Sequence, residues 1–445
     1  MYNSRMTNKT MKSTFYITLF EKQLVRSYLL SDNGDFIKDI AYHYSINIIT
    51  SRELERLVCK KIKEFNMDSF TTITVFEKYK ENIAIKTINS FFRFSNKSPT
   101  TLQVINLQRS LGSSILKTTL RFMIYNLVSN SMIIKKILRY LYYFLINLTS
   151  MNSFFKPNLN LLKKDVLFIT SLCPLRGQDI PIGAFFKKRK VKIIGSVRSW
   201  DNLSFSTFPL IPEFFLCHSE YMLNNAIYKQ GIKKNKVLMS VTPSYQSKFI
   251  SNEQTKENVN FVNFSYMCMG LVVNPDDENF VKWLVGMWKE MPNHFMLYIV
   301  QHPSFIMHHL QIDLPSNINL VVFNYEDTTL NKYYDHLSHM DLVFGGGTTG
   351  LLDASFLGIP VLAIKFEVIN QNFWQSALRH FDYFSWTADF FIEAKVPIAN
   401  NALELKNFIL NYTNIPCVDK VAVVKFTGNP NLSISKVLLS KIINF

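Results

Sequence analysis

A chain of 445 residues is longer than one hydrophobic core supports, and at roughly 150 residues per domain it divides into two or three units, with two large ones expected. An apolar share of 48% and an aromatic share of 14%, with only 14 glycines and 15 prolines, exclude a disordered or fibrous chain. Lysine and arginine number 49 against 33 acidic residues, a formal charge of +16, so the partners expected are anions: nucleotide phosphates, nucleic acid or an acidic membrane surface.

In chain order, the apolar runs at 14–20 and 45–51 predict short buried strands, and helices follow them at 21–30 and 52–64. That alternation predicts a parallel sheet with crossover helices. Residues 100–150 predict helices. Their most apolar stretch, 133–148, is interrupted by Lys135, Lys136 and Arg139 and so is not expected to cross a membrane. Strands resume at 165–172, 191–197 and just before Cys217. The polar run 246–260 reads as a linker, which sets an N-terminal domain at 1–250 with a helical insertion at about 100–150, and a C-terminal domain at 251–445. The last helix of that second domain is expected to pack back on the first.

The second domain opens with the strand FVNFSYM. Phe280, Trp283, Leu284, Met287 and Trp288 then predict a helix with one buried face. Strands follow at 295–301, 320–323, 341–344 and 361–366, with a helix at 328–338. The fold class expected is α/β, two tandem Rossmann-like, doubly wound domains facing a cleft. The five cysteines are too widely spaced for a zinc site, and the first apolar run, Phe15 to Phe20, is too short for a signal-peptide core. The expectation is a cytoplasmic protein with reduced thiols.

Asp341-Leu-Val-Phe reads as a buried strand, and Gly345, Gly346 and Gly347 permit a tight turn whose amides can approach a ligand. Thr348 or Thr349 can cap the helix beyond, which runs to about Leu357 before Gly358 and Pro360 end it; the free amides of such a helix start suit a diphosphate. Asp353, one turn further, is placed to accept hydrogen bonds from ribose hydroxyls. The same stretch, with Gly350, spells G-x-G-x-x-G, and Glu367 ends the next strand, so a dinucleotide-dependent oxidoreductase is the rival reading. That fingerprint belongs after the first strand of its domain, whereas about three strand-helix steps precede it here.

DLVFGGGTTGLLDASFLGIPVLAI resembles the nucleotide-binding segment of GT-B glycosyltransferases, with the turn and helix start on the donor diphosphate and Asp353 at the ribose position. Gln301-His302-Pro303 resembles the His-Pro pair of glycerophosphotransferases and of bacterial sialyltransferases and polysaccharide-assembly enzymes, which implies a phosphate contact for His302. Ser199-Trp200-Asp201-Asn202 is similar to a motif of bacterial surface-carbohydrate transferases related to the CDP-glycerol glycerophosphotransferases. By position there, Asp201 is the expected catalytic base, with Trp200 and Asn202 beside it.

Arg176 and Asp179, in LRGQDIP, form a second pair at the same sheet edge, with Asp179 a further catalytic candidate and Arg176 a binder of an acidic acceptor or donor phosphate. Glu21, Gln23 and Arg26 follow the first strand, while Glu326 and Asp327 follow that at 320–323. The resemblance implies an inverting, metal-independent transferase with no cofactor, using a nucleotide sugar as donor. Its acceptor is expected to be a carbohydrate or lipid-linked, and no nucleic-acid motif is present. The basic runs at 187–190 and 233–236, with the helices at 133–140, suggest peripheral contact with anionic lipid on the inner face of the cytoplasmic membrane. A sugar-nucleotide epimerase and a glycerophosphotransferase share the same layout.

Overall fold

The computed structural model describes residues 12–30, 34–77, 79, 81–148, 159, 161–173, 178–199, 202–241, 245, 260–269, 274, 277–302, 314–323 and 330–442. These form two wholly parallel sheets, one of seven strands in the order β3-β2-β1-β4-β5-β6-β7 and one of six in the order β10-β9-β8-β11-β12-β13.

The first sheet comprises β1 (Thr14–Leu19), β2 (Ser45–Ser51), β3 (Thr71–Phe76), β4 (Val166–Ile169), β5 (Lys192–Gly195), β6 (Phe214–Cys217) and β7 (Val237–Met239). The second comprises β8 (Val262–Met267), β9 (Phe295–Gln301), β10 (Ile318–Val322), β11 (Leu342–Gly345), β12 (Val361–Ile364) and β13 (Ile398–Ala399). Every residue of β4, β6, β11 and β12 is buried, because helices cover both faces. The architecture is therefore the expected one, two tandem doubly wound α/β units. Strand order reverses between β1 and β4 in the first unit and between β8 and β11 in the second, and such switch points open a crevice at the carboxyl edge.

The expected helices at 52–64 and 133–148 are present as Arg52–Glu64 and Met132–Leu148, the latter with Lys135 and Arg139 buried. Arg139 donates to the carbonyls of Phe208 and Gln230 at 2.9 and 3.2 Å. Among the described residues no helix is long and apolar enough to cross a membrane. The helix Asp277–Trp288 differs in detail from expectation: Val281 and Val285 complete the buried face, whereas Trp283 and Met287 lie at its margin.

The units share one continuous apolar cluster. Tyr221 stacks on Phe426 at 5.3 Å and Tyr245 on Phe356 at 4.2 Å between ring centres. The helix Pro99–Ser110 of the insertion reaches the second unit, where Thr100 Oγ1 accepts from the Ser385 amide at 3.1 Å and the Ser110 carbonyl accepts from Gln375 at 3.1 Å. The chain returns at its end: the helix Lys420–Thr427 packs in the second unit, and Ile434–Ile442 buries Ile434, Leu438 and Ile442 in the first unit's core beside Phe15 and Phe36. Between them Gly428, at φ +91°, forms an antiparallel bridge with Val241.

Candidate functional site

Beyond β11 the chain makes its turn at Gly345–Gly347 and enters the helix Thr349–Phe356, capped by Thr348, whose hydroxyl accepts from the Gly350 amide at 3.3 Å. Thr348 has extended backbone, φ −108° and ψ 147°, as an N-cap requires, so of the two threonines it is the cap and Thr349 is the first helical residue. The Thr348 amide is used internally, to Gly346 O at 2.8 Å, and the Leu351 amide bonds Thr348 O at 3.3 Å. Thr349 is exposed, and its amide has no hydrogen-bond partner among the described residues. A donor thus remains where the helix dipole is positive.

The glycines serve a different purpose from the one their spacing suggested. A Cβ on Gly346 would lie 2.5 Å from Met269 Sδ, on Gly347 2.7 Å from His380 Cβ, and on Gly350 2.5 Å from Met267 Cε. The space vacated by their missing side chains is filled by the protein itself, so they allow close packing of the turn on β8 and on the helix Arg379–Tyr383. What is left open to a ligand is the edge formed by Thr348 and Thr349.

Asp353 lies one turn along that helix. Its two carboxylate oxygens accept from Tyr245 at 2.5 Å and Tyr333 at 3.0 Å. Burial raises this carboxyl above its ordinary value, against the opposing pull of both tyrosine hydroxyls and of Arg26. Arg26 belongs to the π-helical turn Arg26–Leu30 that follows β1, so a positive charge from the carboxyl edge of the first sheet acts on this carboxyl.

At the first sheet's switch point, Asp179 opens the helix Asp179–Lys188 and accepts from the Thr18 hydroxyl of β1. It is 2% exposed, and burial, aided by the nearby Glu21 charge, pushes its carboxyl up to about 7. Glu21, at the more open rim, pairs with Arg198 at 2.5 Å. Asn202 begins a short helix, with its amide side chain 3.2 Å from the Ser199 hydroxyl. Behind this rim, buried His218 sits between Ser196 Oγ at 2.9 Å and Val241 O at 3.1 Å, and burial lowers its imidazole to about 4. A neutral ring donating through Nδ1 to the carbonyl and accepting from Ser196 fits both contacts.

The residues singled out in the sequence therefore fall into two groups. Gly346, Gly347, Thr348, Thr349, Gly350 and Asp353 lie together beside β11, and His302 directly follows β9 at the same sheet edge, half-buried and with its imidazole held below its usual value by that burial. Asp179 and Asn202 lie on the first sheet's edge. Arg176, Trp200, Asp201, Pro303, Glu326 and Asp327 lie outside the described residues. Glu367 accepts from Gln371 at 2.9 Å. Three strands, β8 to β10, precede β11, the strand that leads into the glycine turn. Among the described residues no group of three or more His, Cys, Asp or Glu is placed to hold a metal ion.

Sequence reading missed Arg26's approach to Asp353, the Tyr245 and Tyr333 donors and the Ser196–His218 pair. Thr18 carried a signal, the one threonine inside the apolar run FYITLF; Tyr245 carried none, standing just before what reads as linker.

No family model matches the chain, and no curated protein matches it. Solved structures of similar shape include the UDP-GlcNAc 2-epimerase of Methanocaldococcus jannaschii in complex with UDP-GlcNAc and UDP, at 13% identity and TM-score 0.49, covering 97% of this chain and 99% of that one. The UDP-GlcNAc 2-epimerase of Neisseria meningitidis bound to UDP-GlcNAc aligns at 12% identity and TM-score 0.48, over 97% of this chain and 100% of that one. A spinosyn rhamnosyltransferase complexed with thymidine diphosphate aligns at 14% identity and TM-score 0.47, over 97% and 100% respectively. At these values the likeness carries no statement about this chain's chemistry, and the fold class rests on the two sheets themselves.

Proposed function

We propose that this chain is a nucleotide-sugar enzyme of the GT-B type, a glycosyltransferase that holds the donor diphosphate at Thr348–Thr349 and the acceptor on the first unit. The supporting observation is the unpartnered Thr349 amide on an exposed helix start at the second sheet's switch point, with the charge of Arg26, from the first sheet's carboxyl edge, acting on Asp353 of the same helix. Asp353 is assigned to the ribose, whose hydroxyls would share its carboxylate with Tyr245, Tyr333 and Tyr334. Arg176, His302 and Trp200 are assigned to donor and acceptor contacts, as the motifs imply.

In the transfer, an acceptor hydroxyl oxygen bonds to the anomeric carbon as the bond to the diphosphate breaks. The hydroxyl proton passes to a base, for which Asp201 is the choice. The departing negative charge is met by the helix start and the net positive protein. The acceptor we favour is a surface polysaccharide or lipid-linked saccharide.

A second reading, epimerisation of the nucleotide sugar, draws support from Asp179, whose proton is exchangeable near neutrality, with Glu21 at the same edge. Thermal-shift titration with uridine, cytidine, guanosine and thymidine diphosphates and with nicotinamide dinucleotides tests the binding class. Stabilisation by the dinucleotides alone overturns the proposal in favour of an oxidoreductase. Incubating the stabilising nucleotide's sugars without acceptor, followed by NMR, distinguishes the two reactions, since an epimerase converts the sugar while the nucleotide stays attached. For transfer, Asp201→Asn is expected to abolish turnover and leave nucleotide affinity within about twofold, as a base acting only in the chemical step should. Unchanged turnover removes Asp201 as base.

A further inference from the structure

From Asn82 to Lys164 the chain carries twelve Lys or Arg and no Asp or Glu, although the whole sequence has 33 acidic residues. Within this segment the helix Met132–Leu148 is inverted. Its cations Lys135 and Arg139, 4% and 8% exposed, point into the protein beside buried Tyr142 and Ile146. Ile133, Ile137, Tyr140, Leu141, Phe144 and Leu148 point outward, Ile133 at 72% and Tyr140 at 78% exposure.

At 3.6 residues per turn these six fall within an arc of roughly 100°, with exposed Lys136 at its margin. The preceding helix Ile115–Met123, joined to it through the turn Ile124–Val128, likewise leaves Ile115, Leu116 and Leu120 uncovered, 86%, 80% and 50% exposed, beside exposed Lys117. An apolar face of this extent is an interaction surface.

We infer that this face docks on an anionic lipid bilayer, laying its apolar stripe among the acyl chains at headgroup depth while Lys117 and Lys136 meet lipid phosphates. The charge pattern selects the occupant. A second copy of the chain would set this face against its own like across a two-fold axis, with no carboxylate of the segment to meet the exposed Lys117 and Lys136. An acidic bilayer supplies both the missing negative charge and an apolar medium for the stripe. The inference is independent of the sugar chemistry above.

Full-length protein is to be co-sedimented with phosphatidylcholine vesicles with and without phosphatidylglycerol, at low and high salt, alongside Ile137→Glu/Phe144→Glu and the milder Ile137→Gln/Phe144→Gln. Expected are binding to phosphatidylglycerol vesicles that salt weakens, much weaker binding to phosphatidylcholine alone, and a loss of about tenfold or more in both double variants at an unchanged thermal midpoint. Lys117→Glu/Lys136→Glu should remove the preference for acidic lipid. No vesicle binding by the unmodified protein overturns the inference, as does equal binding by the folded variants. A dimer in solution that the double variants dissociate also overturns it, since the face would then belong to a second copy.

Discussion

Asp179 and His218 both sit neutral in the interior at the first sheet's edge, and each ties stability to pH in the opposite sense. Asp179 is raised from 3.8 to about 7, so as pH climbs the unfolded chain ionises first, and stability is lost between about pH 4 and 7. His218 is lowered from 6.5 to about 4, so as pH falls the unfolded chain binds its proton first, and stability is lost from about pH 6.5 down to 4. Across that shared window the two largely cancel. Asp179→Asn should expose the histidine's share, so that the variant gains up to about 3 kcal/mol relative to the unmodified protein between pH 4 and 6.5, while His218→Gln should show the reverse. Urea denaturation at both ends of the window measures this, and a variant whose stability runs parallel to that of the parent would show that the group ionises as it does in the unfolded chain. None of this was legible beforehand: LRGQDIP marked Asp179 as a loop carboxylate, and only the register of β4 beside β1 buries it against Thr18.

Elements were read more surely than their contacts. Long apolar runs that a parallel sheet buries on both faces, such as SINIITS and FMLYIVQ, announce themselves, and both strands span the residues expected. β3, TTITVF, was missed because an edge strand mixes threonines with apolar residues, and β7 and β13 because two or three residues make no pattern. The glycine turn was found, but its glycines answer to Met267, Met269 and His380, neighbours that no local sequence reveals. The helix beyond it offers a direct test of the diphosphate assignment. Proline at its first position keeps the helical backbone while deleting the amide proton together with the Thr349 hydroxyl, and Thr348 already has the extended ψ that a following proline demands. Thr349→Pro is therefore expected to weaken nucleotide binding about tenfold, the magnitude of one hydrogen bond to a charged group, with the thermal midpoint of the unliganded protein preserved. Isothermal titration reads the change, and undiminished affinity would detach the phosphate from this amide.

On the scale of the whole molecule, Val241 of the first unit is bridged to Gly428, which stands between the helix Lys420–Thr427 and the returning helix Ile434–Ile442. At Gly428 a Cβ would stand 1.9 Å from the His218 carbonyl oxygen and 2.7 Å from that of Ser240, at a φ that side chains rarely adopt. Gly428→Ala is expected to cost about 3 kcal/mol or more and to loosen the C-terminal helix from the first unit, visible as faster amide exchange over 434–442. Exchange that stays unchanged there would mean the backbone relieves the clash locally. The same small joint ties the returning chain to a buried imidazole: Val241 is bridged to Gly428, and its carbonyl oxygen lies 3.1 Å from the His218 ring, so whatever displaces one displaces the other.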